Sequence, residues 1–448
     1  MNRENPDRRF VRFAEARATR LLKHLQGVAP MVVLAALAAC SAPVRAQDAQ
    51  IPTATTAAAP AGDAASDLVK KGEYLTRAAD CQPCHTVKGG KPFAGGRPFK
   101  IPGGTLYTPN ITADPDTGIG TWSDDQFVRA LKEGVNEHGN HMYPAFPYTS
   151  YTQMTRDDAL AIKAYLFSLE PVSQKKPAND ISWPFSMRSA IGLWNALFFD
   201  KRDFKPDPSK SEEWNRGKYL VDALGHCGEC HTPRNVFMAT KSSKPLAGGT
   251  AEGWTAYNIS SDEVSGLGGW KDDEIVAYLK TGIAHGKAWA NGPMGETVDA
   301  SLRHLDDADL KAVVAYLRTV PPTRGNESKA RYAWTSDGRL DDAVDSEGAR
   351  LYTFYCSGCH GADGKTHTQY YPAMVGQGTV GANPPTNLIM IILHGARRAD
   401  QPNAFMPSYR DAFSDEQVAA LVNYVTKRFG DPKASVKAGD VADARKQP

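Results

Sequence analysis

Long apolar runs are scarce in this 448-residue chain, and their scarcity sets its first limits. The run Val28–Ala39 holds twelve residues, against the roughly twenty that a membrane-crossing helix needs. No later segment is long and apolar enough to span, and Leu388–Leu393 reads as core. Cysteine is equally restricted: there are seven, and six fall in three copies of one pattern, leaving nothing for a disulfide framework. A strong charge of one sign is missing too. The formal +2 comes from the first 46 residues, which carry eight Lys/Arg against three Asp/Glu; the remainder stands near −3. That balance gives a nucleic-acid role no electrostatic support. Hydrophobic residues at 41% and charged residues at 23% exclude a collagen, a coiled coil or a wholly disordered chain.

What is present is Cys-x-x-Cys-His, three times: Cys81, Cys84, His85; Cys227, Cys230, His231; Cys356, Cys359, His360. The pattern is the attachment signature of c-type haem. Two thiols three positions apart on one helical turn reach the two vinyl groups, and the next side chain points at the iron. Three copies imply three covalently bound haem c groups. The competing readings are a zinc cluster or a redox dithiol. Zinc needs four ligands per site, and no copy has a companion Cys/His cluster close by.

The chain start reads as an export signal, 1–46, with Arg17, Arg20 and Lys23 ahead of the apolar run. Two cleavage readings stay open. Leu37-Ala38-Ala39-Cys40 resembles a lipoprotein signal that would lipidate Cys40, and Val44-Arg45-Ala46 suits an ordinary signal peptidase. Residues 47–67, rich in Ala, Thr and Pro, read as a flexible tether.

Aligned on the three motifs, the chain repeats itself. A glycine and an apolar helical stripe precede each motif: Gly72, Tyr74, Leu75; Gly217, Tyr219, Leu220; Gly348, Leu351, Tyr352. Asn110-Ile111 precedes Trp122 by the interval at which Asn258-Ile259 precedes Trp270. A helix is expected after each tryptophan, ending at Gly134 and Gly282, with 386–395 as the third counterpart. Each copy closes with a helix capped at Thr155, Asp306 or Ser414, and ten positions on stands Tyr165, Tyr316 or Tyr424, read as packing between terminal helices. The expected architecture is all-α: three tandem class I-like cytochrome c domains at 68–172, 213–322 and 343–430. An aromatic connector (173–212), a second connector (323–342) and a C-terminal tail (431–448) complete it. With Trp183, Phe185, Trp194, Phe198 and Phe199, the first connector is expected to pack on a domain or a partner.

A haem iron held by one histidine, here His85, His231 or His360, needs a sixth ligand, and methionine there raises the potential. Met406 lies eight residues before its cap and Met294 twelve before its own; Met374 is the rival in the third domain. In the first domain Phe146 stands where a ligand is called for and cannot bind iron. Met142, thirteen before the cap, is preferred there over Met154 or His141, and an open site is the remaining reading.

Gly104-Thr105-Leu106-Tyr107-Thr108-Pro109-Asn110-Ile111-Thr112, Tyr143-Pro144-Ala145-Phe146-Pro147-Tyr148, Trp214-Asn215-Arg216-Gly217-Lys218-Tyr219-Leu220-Val221, Gly225-His226-Cys227-Gly228-Glu229-Cys230-His231-Thr232-Pro233-Arg234, Asn387-Leu388-Ile389 and Phe405-Met406-Pro407 resemble the triheme cytochrome c subunits of membrane-bound periplasmic dehydrogenases, such as alcohol and gluconate 2-dehydrogenase. The resemblance implies a catalytic partner carrying PQQ, a flavin or a molybdenum cofactor, transfer of electrons to ubiquinone, and a periplasmic, membrane-associated place. It also marks Phe146 as a departure, since many relatives have methionine there. No room remains for a catalytic domain, so the expected role is an electron wire. The rivals are a stand-alone haem enzyme with peroxide or thiosulfate-type chemistry at an open first haem, and a mobile shuttle without a fixed partner.

Overall fold

The computed structural model describes residues 62–335, 346–366, 371–398 and 401–447, with the side chains of 62–64, 398 and 401–404 left aside. The expected export signal (1–46), with Cys40, and most of the expected tether (47–67) lie outside these residues. From Gly62 the chain is already helical, so the opening helix α1 (Gly62–Ala78) starts before the boundary expected at 68.

The same helix pair recurs three times. α1 crosses α3 (Arg156–Ser168); α5 (Glu212–Tyr219) crosses α8 (Asp307–Leu317); α9 (Glu347–Tyr355) crosses α11 (Asp415–Phe429). A Cβ on Gly72, Gly217 or Gly348 would overlap the carbonyl oxygen of Ala161, Ala312 or Ala420. The glycines therefore set how closely the backbones approach, and Tyr165, Tyr316 and Tyr424 pack beside them. That accounts for the shared register of glycine and tyrosine.

Between the paired helices stand α2 (Asp124–Glu133), α6 (Asp272–Thr281) and α10 (Thr386–His394). Ser123 and Gln126 form a capping box, and α2 and α6 end at Gly134 and Gly282 with φ of 63° and 74°, a left-handed turn that glycine adopts at least cost. α5 runs on through a wider turn, Leu220–Leu224, in which Gly225 N–H reaches Leu220 O at 2.7 Å.

The fold is mostly helical rather than purely α. Antiparallel pairs join β1 (Pro98–Ile101) to β2 (Gly104–Tyr107), 249–251 to 254–256, 283–284 to 288–289, and 396–398 to 401–406. Gly103, at φ 87°, permits the tight first turn. The connector 173–212 is structured as well. β3 (Asp180–Ile181) adds a strand to β2, and α4 (Arg188–Phe198) packs through Asn195, whose side-chain oxygen accepts from Tyr148 Oη at 2.6 Å. Residues 431–447 are no loose tail: α12 (Ala438–Arg445) buries Val441 against the third core, with Arg445 paired to Asp415 at 2.8 Å. Their polar composition hid two apolar anchors, Val436 and Val441.

One continuous core spans the first two segments, and a second core serves the third. The seam within the first core is reciprocal. Tyr74 Oη donates to Asp309 at 2.6 Å and accepts the Asp306 N–H at 3.1 Å; Tyr219 Oη donates to Asp158 at 2.7 Å and accepts the Thr155 N–H at 3.1 Å. Each opening helix thus caps the other segment's closing helix, as in the isologous contact of a two-fold dimer. Asp306, expected as a side-chain cap, makes no such bond and is served by Tyr74 instead.

Candidate haem sites

Each Cys-x-x-Cys-His stretch forms a one-turn helix that fixes its histidine. His85 Nδ1 lies 2.9 Å from Pro109 O, His231 Nδ1 2.6 Å from Tyr257 O, and His360 Nδ1 2.9 Å from Pro372 O. A carbonyl can only accept, so each Nδ1 carries the proton and Nε2 presents a lone pair. Burial lowers the pKa of all three imidazoles against those hydrogen bonds, favouring this neutral form. A metal-ligating histidine oriented through its second nitrogen has this arrangement.

The thiols do not suit the competing chemistries. Burial pushes Cys84, Cys227 and Cys356 up to about 12 and Cys230 up to about 11, the opposite of an activated dithiol. Among the described residues no group of three or more His, Cys, Asp or Glu side chains is arranged to hold a metal ion, so a zinc reading lacks its ligand set.

An apolar cavity of about 220 Å³ opens beside His231, and Cys227, Cys230 and Met294 line it. Its wall also includes Ala78 and Asp80 from the first segment and Thr379 and Asn387 from the third. That is the cavity of the second motif; the cavity of the third, about 110 Å³, is lined by Cys356, His360, Met374 and Met406, with Trp289 and Asn291 contributed by the second segment. At the second motif, two thiols, a histidine presenting Nε2 and a thioether share one apolar enclosure, which fits a c-type haem; at the third, one thiol, Cys356, lines the cavity with His360 and two thioethers, and Cys359 is exposed. Met406 and Met374 both face the third cavity.

The first site can be compared with the second through backbone hydrogen bonds. Met142 N–H donates to Gly134 O at 2.7 Å, as Ala290 N–H donates to Gly282 O at 2.8 Å. Met142 therefore matches Ala290, and Phe146 matches Met294. Farther on, Lys132 Nζ donates to Met154 O at 2.5 Å and Lys280 Nζ to Leu305 O at 2.7 Å. Met154 thus matches Leu305, which lines the second cavity; Met154 itself is fully buried. Phe146 packs on Tyr151, ring centroids 5.7 Å apart, and His141 Nδ1 faces the Asn195 amide at 3.2 Å.

Where the first two motifs meet, Tyr151 Oη donates to Ala79 O at 2.6 Å and its ring lies edge-on to His226. Arg97 joins Pro83 O, inside the first motif, to Glu296 at 2.8 Å and Glu252 at 3.2 Å. Burial pushes the Asp80 carboxyl up to about 7, helped by the Glu296 charge and opposed by the Thr297 hydrogen bond and Arg97. Burial alone would raise Asp309 and Asp158, but hydrogen bonds from Arg216 and Tyr74, and from Lys71 and Tyr219, hold both below the ordinary carboxylate range. In the sequence Tyr74 and Tyr219 read as members of apolar stripes. Only their matched positions hinted at a shared polar contact.

Comparison with known proteins agrees with this geometry. Residues 69–170 match the cytochrome c family model, and 343–425 match that of cytochrome c oxidase, cbb3-type, subunit III. The fructose dehydrogenase cytochrome subunit of Gluconobacter japonicus is 38% identical over 402 residues, 84% of this chain and 82% of that protein. The gluconate 2-dehydrogenase cytochrome c subunit of Pantoea cypripedii is 40% identical over 411 residues, 87% and 92% of the two chains. The alcohol dehydrogenase (quinone) cytochrome c subunit of Gluconacetobacter polyoxogenes is 37% identical over 409 residues, 88% and 87%. With these relatives covering 84–88% of it, the chain belongs to the family of dehydrogenase cytochrome c subunits.

Proposed function

We propose that this chain is a three-haem c-type cytochrome, built as three tandem class I-like domains. It takes electrons from the catalytic subunit of a dehydrogenase carrying PQQ, a flavin or a molybdenum cofactor and passes them to ubiquinone. The observation that carries the reading is the shared walls of the cavities: the second is bordered by both neighbouring segments, and the third by the second. Three redox sites strung through one protein body in that way suit a relay.

Haem iron supplies the one-electron chemistry; the polypeptide supplies anchoring, ligands and exclusion of water. Cys81/Cys84, Cys227/Cys230 and Cys356/Cys359 are the thioether anchors, and His85, His231 and His360 the proximal ligands. Met294 and Met406, which line the cavities with His231 and His360, would hold the iron together with them in the second and third sites. In the first, Met154 is better placed than Met142, because its structural match Leu305 faces a cavity. During electron transfer no polypeptide group is asked to move a proton or to make or break a covalent bond, in keeping with a subunit that is not itself the catalyst. The work of the chain lies in the periplasm, at the cytoplasmic membrane. The relatives' names as dehydrogenase subunits weigh against a stand-alone haem enzyme.

The test is to purify the native complex and identify the co-eluting subunit. Adding that subunit's substrate should reduce the cytochrome bands before any quinone is supplied. A chain that elutes alone, or bands that stay oxidised, would contradict the proposal.

A further inference from the structure

The cavity of the second motif is apolar over most of its wall, and its carboxylate, lysine and arginine members are Asp80, Lys287 and Arg331. Asp80 stands at the thiol end, where its charge helps to raise the pKa of Cys227 and Cys230. Lys287 is committed, since Nζ donates to Glu274 at 2.7 Å and to Gly269 O at 2.8 Å. Arg331 is not. It is only 13% exposed, and both its hydrogen bonds, to Ser265 O at 3.0 Å and Glu327 at 3.3 Å, come from Nη1. Nε and Nη2 therefore keep donors with no acceptor among the described residues.

A second unused donor lies beside it. The Arg331 guanidinium sits 4.1 Å from the centre of the Tyr257 ring, and Tyr257 Oη is buried without a hydrogen-bond partner. Thr379 and Asn387 lie near that hydroxyl, yet neither closes a bond with it, and the Asn387 amide is taken by the Thr255 backbone at 2.7 and 2.9 Å. Native proteins rarely leave a buried polar atom unpaired, so an orphan at a cavity wall points to a ligand group. The main chain of the same tyrosine orients His231 through the 2.6 Å contact of Tyr257 O with Nδ1, which ties this corner to the proximal side of the iron.

The chemistry of the missing acceptor follows. Haem carries two carboxylates, the propionates, on a different edge from the vinyl groups that the thiols reach. A carboxylate taken from water needs a cation and further hydrogen bonds, and the planar fork of arginine matches it. We infer that Arg331 and Tyr257 form the binding site for a haem propionate in the second cavity, the guanidinium and the phenol both donating to the carboxylate. The inference rests on reading the second motif as a haem site, and it adds part of the second connector to that site. Arg331 belongs to the connector's short turn Arg331–Ala333, and Gly381 of the third segment packs so closely on it that a Cβ would overlap Arg331 O. The third segment thus holds a residue of the connector against the second cavity.

The test uses the haem-loaded full chain, with the intact mass of each variant taken first. Arg331→Gln should move the reduced-to-oxidised ratio of one haem about tenfold toward oxidised at a fixed applied potential, the order expected for losing one positive charge near it. Arg331→Lys, which keeps the charge, should restore most of that ratio. Tyr257→Phe, which changes no charge and keeps the ring, should shift the propionate-bending band of one haem in the resonance Raman spectrum, with the axial-ligand bands unchanged; Arg331→Gln should shift the same band. If the mass shows the second haem in place and that band is unmoved in both Tyr257→Phe and Arg331→Gln, the inference is overturned while the haem reading stands. A wild-type chain without the second haem would overturn both.

Discussion

The first and second haem sites share a backbone and differ in what occupies it. Both have an intermediate helix ending in a left-handed glycine, a hairpin bond back to that glycine, and a lysine on the carbonyl before the closing helix. Yet Phe146 stands where Met294 stands. The repeated fold therefore fixes backbone positions rather than the side chains that occupy them, and a scaffold of this kind lets two sites differ without being rebuilt.

The largest expected effect breaks the second site. Met294→Ala should remove the methionine signature of one haem and lower its potential by on the order of 0.1 V, a part of the roughly 0.8 V that axial ligands span; a spectroelectrochemical titration reads this. The first site is sharpened by two conservative changes. Met154→Leu, which installs the residue found at the matching position 305, should abolish the methionine signature of the first haem. Met142→Leu, whose match is Ala290, should leave every band in place. The reverse pattern would restore the count from the helix cap as the better guide.

Smaller effects test the symmetry of the seam. Asp309→Asn and Asp158→Asn should each cost about 1–3 kcal/mol, the worth of a hydrogen bond to a charged group, measured by denaturant unfolding of the haem-loaded chain. Both carboxylates are held below their ordinary range. Their stabilisation is present above that range and is lost as pH falls through the depressed folded values. Asp80 has the opposite sign: its folded value of about 7 means that stability declines as pH rises from the ordinary carboxylate range toward 7. Asp80→Asn should flatten that decline and leave the acid limb intact.

Much of this was legible in the chain. The Cys-x-x-Cys-His turns, the glycine and tyrosine of each helix crossing, and the caps at Ser123, Thr155 and Ser414 all follow from local rules of spacing and capping. The structural match of Met142 to Ala290 is hidden in the sequence, because intervals counted back from the two caps differ. Phe146 precedes Thr155 by nine positions and Met294 precedes Asp306 by twelve. The second segment fills that interval with α7 (Gly292–Ala300), whereas the first uses a single turn, Tyr148–Tyr151. Nor could the reciprocal tyrosine contacts be read from sequence, since Tyr74 and Asp309 are 235 residues apart and meet only when two domains share one core. In α12, burial of Val441 depends on a surface contributed by α10 and α11, which no local pattern in a polar tail reveals.

The central claim is that all three motifs carry haem, including the first, whose ligand register departs from that of its neighbour. The intact mass of the exported, haem-loaded chain tests it most directly. The account predicts the mass of the processed polypeptide plus three haems, and conversion of either first-motif cysteine to alanine should disturb the first haem alone. A mass corresponding to two haems, with Cys81 and Cys84 free to react with a thiol reagent, would contradict it.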